Sequence, residues 1–158
     1  MKSVLIDSDI LIEVSRARDA AILNRWDILS RGDRPLFCSP VTVAELWHGA
    51  LPREYPLLNA VFSAIECVPI DAAIGRCAGE HLRLFAKSHH VELGDALIAA
   101  TASIHKLDLW TRNRRHYPIK DISFYQPGKK EPVVPGLARV VPRERKLFAF
   151  RRARTLST

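Results

Sequence analysis

The chain has 158 residues, 47% of them hydrophobic, which suits one domain with a core of its own and no need of disulfide staples. No apolar run approaches the roughly 18 residues that a bilayer span requires, and the stretch between Lys2 and Asp7 is too short for a signal peptide, so a cytoplasmic location is expected. The net charge of +7 lies wholly from Gln126 onward, where nine basic residues face two acidic ones, while residues 1–125 balance to zero.

Three cysteines, Cys38, Cys67 and Cys77, make no CxxC pair. An odd number without metal-ligand spacing argues against a disulfide frame or zinc site and for buried thiols in a reducing compartment. The charge distribution divides the chain into a neutral compact domain over 1–125 and a basic tail over 126–158. The tail is punctuated by Pro127, Gly128, Pro132, Pro135, Gly136 and Pro142, and it shows no apolar periodicity. A flexible arm that holds phosphates through salt-sensitive attraction and a merely solubilising tail both fit it.

Ser3-Val4-Leu5-Ile6 predicts a short buried strand that stops at Asp7, at the carboxyl edge where open parallel sheets bind ligands. A short helix is expected over 9–18, with Ile10, Leu11 and Val14 as its apolar face and Ser8 or Asp9 as its cap. Asp9 is read as that cap in preference to a supporting acid. A second helix is expected over 19–30, stopped by Gly32, and a strand over 35–39. Ser39 and Pro40 then open a helix that carries Glu45 and ends at Gly49.

Two further helices are expected over 57–66 and 71–88, around a brief strand at 67–70. The second presents Ile74, Cys77, Ala78, His81, Leu82 and Phe85 as a core face. The alanine-rich helix over 92–102 reads as buried nearly all round, with Asp95 in its first turn. A carboxylate there needs donors or a cation, and the helix N-terminus supplies part of that need. Strands are expected at 107–110 and 122–125, the first ending in Thr111-Arg112-Asn113-Arg114-Arg115-His116-Tyr117. Strands alternating with helices predict an α/β fold, a three-layer α/β/α sandwich on a mostly parallel sheet.

Asp7, Glu45, Asp95 and the polar run after residue 110 each follow a strand or open a helix. Clustered acids of this kind suit a hard cation, Mg²⁺ with Mn²⁺ as a substitute, which is commonly held by one or two carboxylates plus water and substrate phosphate. Phosphodiester chemistry follows from such a site. Arg112, Arg114 and Arg115 would clamp phosphates beside it or form a solvated charged turn. Glu45 has ion pairing to an arginine as its alternative. His116 and Tyr117 read as a packed turn, His48, His89 and His90 as surface residues, and Trp26, Trp47 and Trp110 as core.

Leu5-Ile6-Asp7-Ser8-Asp9-Ile10-Leu11-Ile12, Val43-Ala44-Glu45-Leu46, Asp95 through Ala102, and Trp110 through Tyr117 together resemble the four sequence blocks of PIN-domain ribonucleases. The likeness is closest to the VapC toxins of toxin–antitoxin pairs, and it covers roughly 1–125. It implies a metal-dependent endoribonuclease, typically a homodimer, inhibited by a cognate antitoxin. On that likeness Asp7 and Asp95 match the Mg²⁺-holding aspartates, and Glu45 the third acid that completes the site or activates water. Asn113 and His116 stand where many members place a fourth acid, and Asn113 would ligate through its carbonyl or orient a water. Thr111, Arg112, Arg114 and Arg115 are the candidate RNA contacts.

Two other readings compete. One is a catalytically degenerate module that binds RNA or protein. The other is an aspartyl-phosphate phosphatase built on Asp7-Ser8-Asp9, which lacks a second acid in the positions after Asp95.

Overall fold

A computed structural model of the protein describes residues 2–126; the proposed basic tail lies outside them apart from Gln126. Five strands, β1 (Val4–Ile6), β2 (Leu36–Cys38), β3 (Glu66–Cys67), β4 (Asp108–Trp110) and β5 (Ser123–Phe124), form one sheet in the order β3-β2-β1-β4-β5. Every pairing is parallel, with Val4 opposite both Leu36 and Asp108, and Ile6 opposite Trp110. Six helices surround it: α1 (Ser8–Arg16), α2 (Ala20–Arg31), α3 (Pro40–Gly49), α4 (Tyr55–Ser63), α5 (Ala72–His89) and α6 (Leu93–His105).

The three layers follow from the alternation of side chains along β1. Val4 and Ile6 point to a core shared with Ile10, Leu11 and Val14 of α1, Ile22 and Leu29 of α2, Leu46 of α3, and Leu58 and Val61 of α4. Leu5 points the other way, into a cluster with Ile98, Ala99 and Ala102 of α6, Leu109 of β4 and Val68. α5 lies over α6 through Ile74, Ala78, Ala96 and Ala100. Burial of each such leucine or isoleucine contributes about 1.5–3 kcal/mol, and the small alanines let α6 approach the sheet closely.

Local signals set most helix starts. Asp19, Ser39 and Asp71 cap α2, α3 and α5 through side-chain acceptors, and Pro40 opens α3. The cap of α1 differs from expectation: it is Asp7, whose carboxylate accepts from Ser8 N, while Asp9 lies inside the first turn. Three helices end on left-handed residues that are not glycine, namely Ala17, His90 and Lys106, so no glycine marks where they stop. Pro52–Glu54 forms one 3-10 turn ahead of α4, and Glu66, expected in a helix, belongs to β3 instead.

α6 is buried from Ala96 to Ala102 except at the half-buried Leu97, but Leu93 is 62% and Ile104 40% exposed, so its two ends leave the core. Of the cysteines expected as buried thiols, Cys38 is buried, Cys77 half-buried and Cys67 exposed. Cys67 sits on the edge strand opposite Cys38.

The connectivity places the site. Chain leaving β1 returns to β2 on one side, whereas β4 flanks β1 on the other. The carboxyl ends of β1 and β4 therefore border the switch point at which open parallel sheets leave a crevice. Asp7 N donates to Trp110 O across that point at 3.0 Å.

Candidate active site

Asp7 leaves β1 and enters α1 within a single residue, so its side chain is held at the sheet edge, 7% exposed. Oδ1 accepts from Ser8 N at 2.7 Å, and Oδ2 accepts from the Tyr117 hydroxyl at 2.8 Å. Ser8 also donates its own hydroxyl to Glu45 Oε2, which ties α1 to α3. Glu45 is exposed as a residue, but its carboxylate turns toward the sheet edge. A Cβ on Gly94 would stand 3.5 Å from Glu45 Oε1 and 3.3 Å from Val41 Cγ1, so the missing side chain at Gly94 lets α6 pass close under Glu45.

Asp95 lies in the first turn of α6, where Oδ2 accepts from Glu92 N at 3.3 Å. The same oxygen stands 3.5 Å from His116 Nδ1. Asp9 faces the loop after β4: its Oδ2 accepts from Arg112 N at 2.9 Å and from the Thr111 hydroxyl at 3.3 Å. Its Oδ1 is buried and meets no hydrogen-bond donor among the described residues.

The four carboxylates feel one another. Burial and then the Asp7 charge push Asp9 up to about 6 against the bonds from Arg112 and Thr111. Glu45 is raised chiefly by burial and further by Asp7, Asp95 and Glu92, with the Ser8 bond opposing. Asp95 is raised by burial, with Glu92 N–H and His116 working the other way. Burial followed by the Asp7 charge raises the Tyr117 phenol, so it stays a proton donor.

The described residues contain no group of three His, Cys, Asp or Glu side chains set as a ready metal cage. The donor chemistry nonetheless suits a hard cation. It is all carboxylate oxygen, mutually repelling, with one buried oxygen that meets no donor, and Mg²⁺ commonly takes one or two carboxylates and fills its shell with water.

The fold brings Asp7, Glu45 and Asp95 into one electrostatic cluster and Thr111 against Asp9. Other expected residues lie at its margin. Asn113 is exposed, and its backbone N–H donates to Thr111 Oγ1 at 3.0 Å. The Arg112 guanidinium stands 3.1 Å from Glu13. Arg114 lies 4.9 Å over the Phe124 ring and donates to Tyr125 O at 3.5 Å. Arg115 is exposed and makes no hydrogen bond or ion pair among the described residues. Sequence reasoning did not find Ser8 or Tyr117 as contacts within the cluster; it preferred Asp9 as a helix cap to a supporting acid, and it read His116 both as part of a packed turn and as a stand-in for a fourth acid. Their nearness in sequence to Asp7 or to the residue 111–117 run was the available signal.

With this geometry, a family model described as the PIN domain matches residues 4–122. The chain belongs to the PIN-domain family. Two curated relatives from Mycobacterium tuberculosis cover 73% of the chain: Ribonuclease VapC10, 36% identical over 86% of its own length, and Ribonuclease VapC19, 33% identical over 92%. Among solved structures, DNA-bound VapBC from Salmonella typhimurium shares the fold, with a TM-score of 0.68 at 22% identity, covering 79% of this chain and 98% of that one. The expected α/β/α PIN fold is thus the observed one, and its switch point is where this PIN domain gathers its acids. No helix among the described residues is long and apolar enough to cross a membrane.

Proposed function

We propose that this PIN domain is the ribonuclease toxin of a VapC-type toxin–antitoxin pair, an endoribonuclease whose Asp7 and Asp95 hold Mg²⁺, with Mn²⁺ as a substitute. The observation that carries the reading is the convergence of Asp7, Glu45 and Asp95 from three separate segments. Among the described residues none of them is hydrogen-bonded or ion-paired to a lysine or arginine side chain. Carboxylates gathered in this way repel one another unless a cation joins them. The ribonuclease names of the relatives that match most of this chain support the same reading.

When bound, the cation would neutralise charge on the scissile phosphodiester and acidify a bound water. The protein's own groups do the rest. Asp7 is fixed by Ser8 N and Tyr117. Glu45, its carboxyl raised by burial and free at Oε1, takes a proton from the attacking water there. Thr111, with its hydroxyl on Asp9, orders the loop beside the acids, and Asn113 orients a water at its rim. Arg115 is the cation most available for RNA phosphate, with Arg112 and Arg114 released from Glu13 and Phe124 as substrate enters.

An antitoxin protein covering this edge is part of the proposal, supported by neighbours solved as VapBC complexes. So are a homodimer and a cytoplasmic setting.

The test incubates purified protein with RNA in Mg²⁺, in Mn²⁺ and in EDTA, and expresses it in cells. Cleavage and growth arrest that vanish in Asp7→Ala and Asp95→Ala are expected. No cleavage in either metal, with wild type as harmless to growth as the variants, overturns the reading and favours the degenerate module. Covalent phosphorylation of Asp7 would revive the phosphatase.

A further inference from the structure

A fully buried hydrogen bond of the site comes from a residue that the acid cluster does not by itself require. Tyr117 closes the 3-10 turn Arg114–His116, with its backbone N–H on Arg114 O at 3.0 Å. Its ring is 3% exposed in the cluster of Leu5, Ile98, Leu109, Ile119 and Ile122. From that fixed seat the hydroxyl reaches Asp7 Oδ2 at 2.8 Å, while Ser8 N holds Oδ1 at 2.7 Å.

Asp7 is thereby gripped at both oxygens from two sides, one donor from its own helix and one from the loop after β4. The nature of the second donor matters. A lysine or arginine in this place would orient Asp7 but cancel the charge a cation needs. A phenol is neutral, so it fixes the plane of the carboxylate and leaves its charge and its remaining lone pairs available. A phenylalanine would fill the same hydrophobic seat and leave Oδ2 beside Asp9, Glu45 and Asp95 with nothing to hold it.

We propose that Tyr117 is a positioning residue, whose hydroxyl sets the Asp7 carboxylate for divalent cation binding without being needed for the fold. This rests on the reading that Asp7 holds a divalent cation. Partners that orient metal ligands typically change metal affinity by about 10- to 100-fold when removed.

The experiment titrates Mn²⁺ into the full chain and follows free Mn²⁺ by electron paramagnetic resonance. It compares wild type, Tyr117→Phe, Asp7→Asn and the double variant, each with a metal-free thermal melt. The expected result is a cooperative melt for Tyr117→Phe with Mn²⁺ affinity about 10- to 100-fold weaker, and no further loss when Tyr117→Phe is added to Asp7→Asn. Tyr117→Phe binding Mn²⁺ within about twofold of wild type overturns the proposal. It leaves the metal reading standing as long as Asp7→Asn loses Mn²⁺.

Asp7→Asn binding like wild type overturns both. Should Tyr117→Phe not melt cooperatively, the wild-type chain decides. Its three tyrosines, Tyr55, Tyr117 and Tyr125, are ¹³C-labelled, and Mn²⁺ must broaden the Tyr117 ring signals first. Broadening of either other tyrosine first overturns the proposal.

Discussion

The acids of this site come in two kinds, and the difference lies in what carries them. Asp7 and Asp9 ride on the junction of β1 and α1, where one residue separates sheet from helix. They are held by donors from outside their own element: Tyr117 on Asp7, and Thr111 with Arg112 on Asp9. Glu45 and Asp95 ride on helix turns, and each has one hydrogen-bond donor, Ser8 and Glu92 N respectively, with His116 near Asp95. The pair at the β1–α1 junction is therefore the more firmly held, and the pair on α3 and α6 more adjustable. On the proposed function, Asp7 of the first pair and Asp95 of the second would hold the cation, and Glu45 would meet the reacting water.

The largest expected effect comes from removing either proposed cation ligand, one from each pair. Asp7→Ala should lower RNA cleavage on the order of 10³-fold, and Asp95→Ala nearly as much, each with loss of Mn²⁺ binding and little change in the melt. A loss in Asp95→Ala alone would shift the anchoring role to the helix-borne side.

The second effect is one of pH, in metal-free protein. Asp9 is raised to about 6 in the folded state, so folding disfavours its charged form. Its full stability is present below the unfolded pKa and falls as pH rises through the folded one. Between about pH 4 and pH 6, denaturant midpoints in EDTA should fall by an amount worth up to about 3 kcal/mol, with Glu45 and Asp95 adding in the same direction. Asp9→Asn should flatten that decline, and Mg²⁺ should restore stability to wild type at pH 7.

Glu45→Gln tests the adjustable side. It should reduce kcat about 10²-fold while Mn²⁺ affinity changes much less, and the acidic limb of the pH–rate profile should disappear. An equal fall in Mn²⁺ affinity would make Glu45 an anchor like Asp7.

The smallest effect is expected from Gly94→Ala. Its Cβ would press on Val41 Cγ1 at 3.3 Å and lie 3.5 Å from Glu45 Oε1, while alanine is worth up to about 1 kcal/mol over glycine in a helix. Stability should stay within about 1 kcal/mol of wild type in a melt, with cleavage reduced several-fold as Glu45 is displaced.

Much of this was legible in the chain. The apolar stretch ending at Asp7, the Ser39-Pro40 start and the alanine-rich run after Asp95 carry their own structural signals; they place Asp7 and Asp95 at element ends and Glu45 just over a turn into α3. Helix stops were less legible where left-handed Ala17, His90 and Lys106 close a helix without glycine. The cap of α1 was placed one or two residues late, at Ser8 or Asp9, because Asp7 is at once strand end and cap and a serine and a second aspartate follow it. Cys67 was expected inside, but a two-residue edge strand covers only one side of its neighbours.

The sequence by itself determined the element types, the α/β class and the acids at the carboxyl ends, since side-chain periodicity, caps and proline act within a few residues of one another. Only the tertiary structure decided which groups meet: Tyr117 on Asp7 across 110 residues, Ser8 on Glu45, Thr111 on Asp9. Those pairings depend on strand order and on the approach of helices from both faces. Distances between segments far apart in the chain are set by how the whole core packs, which no local pattern encodes.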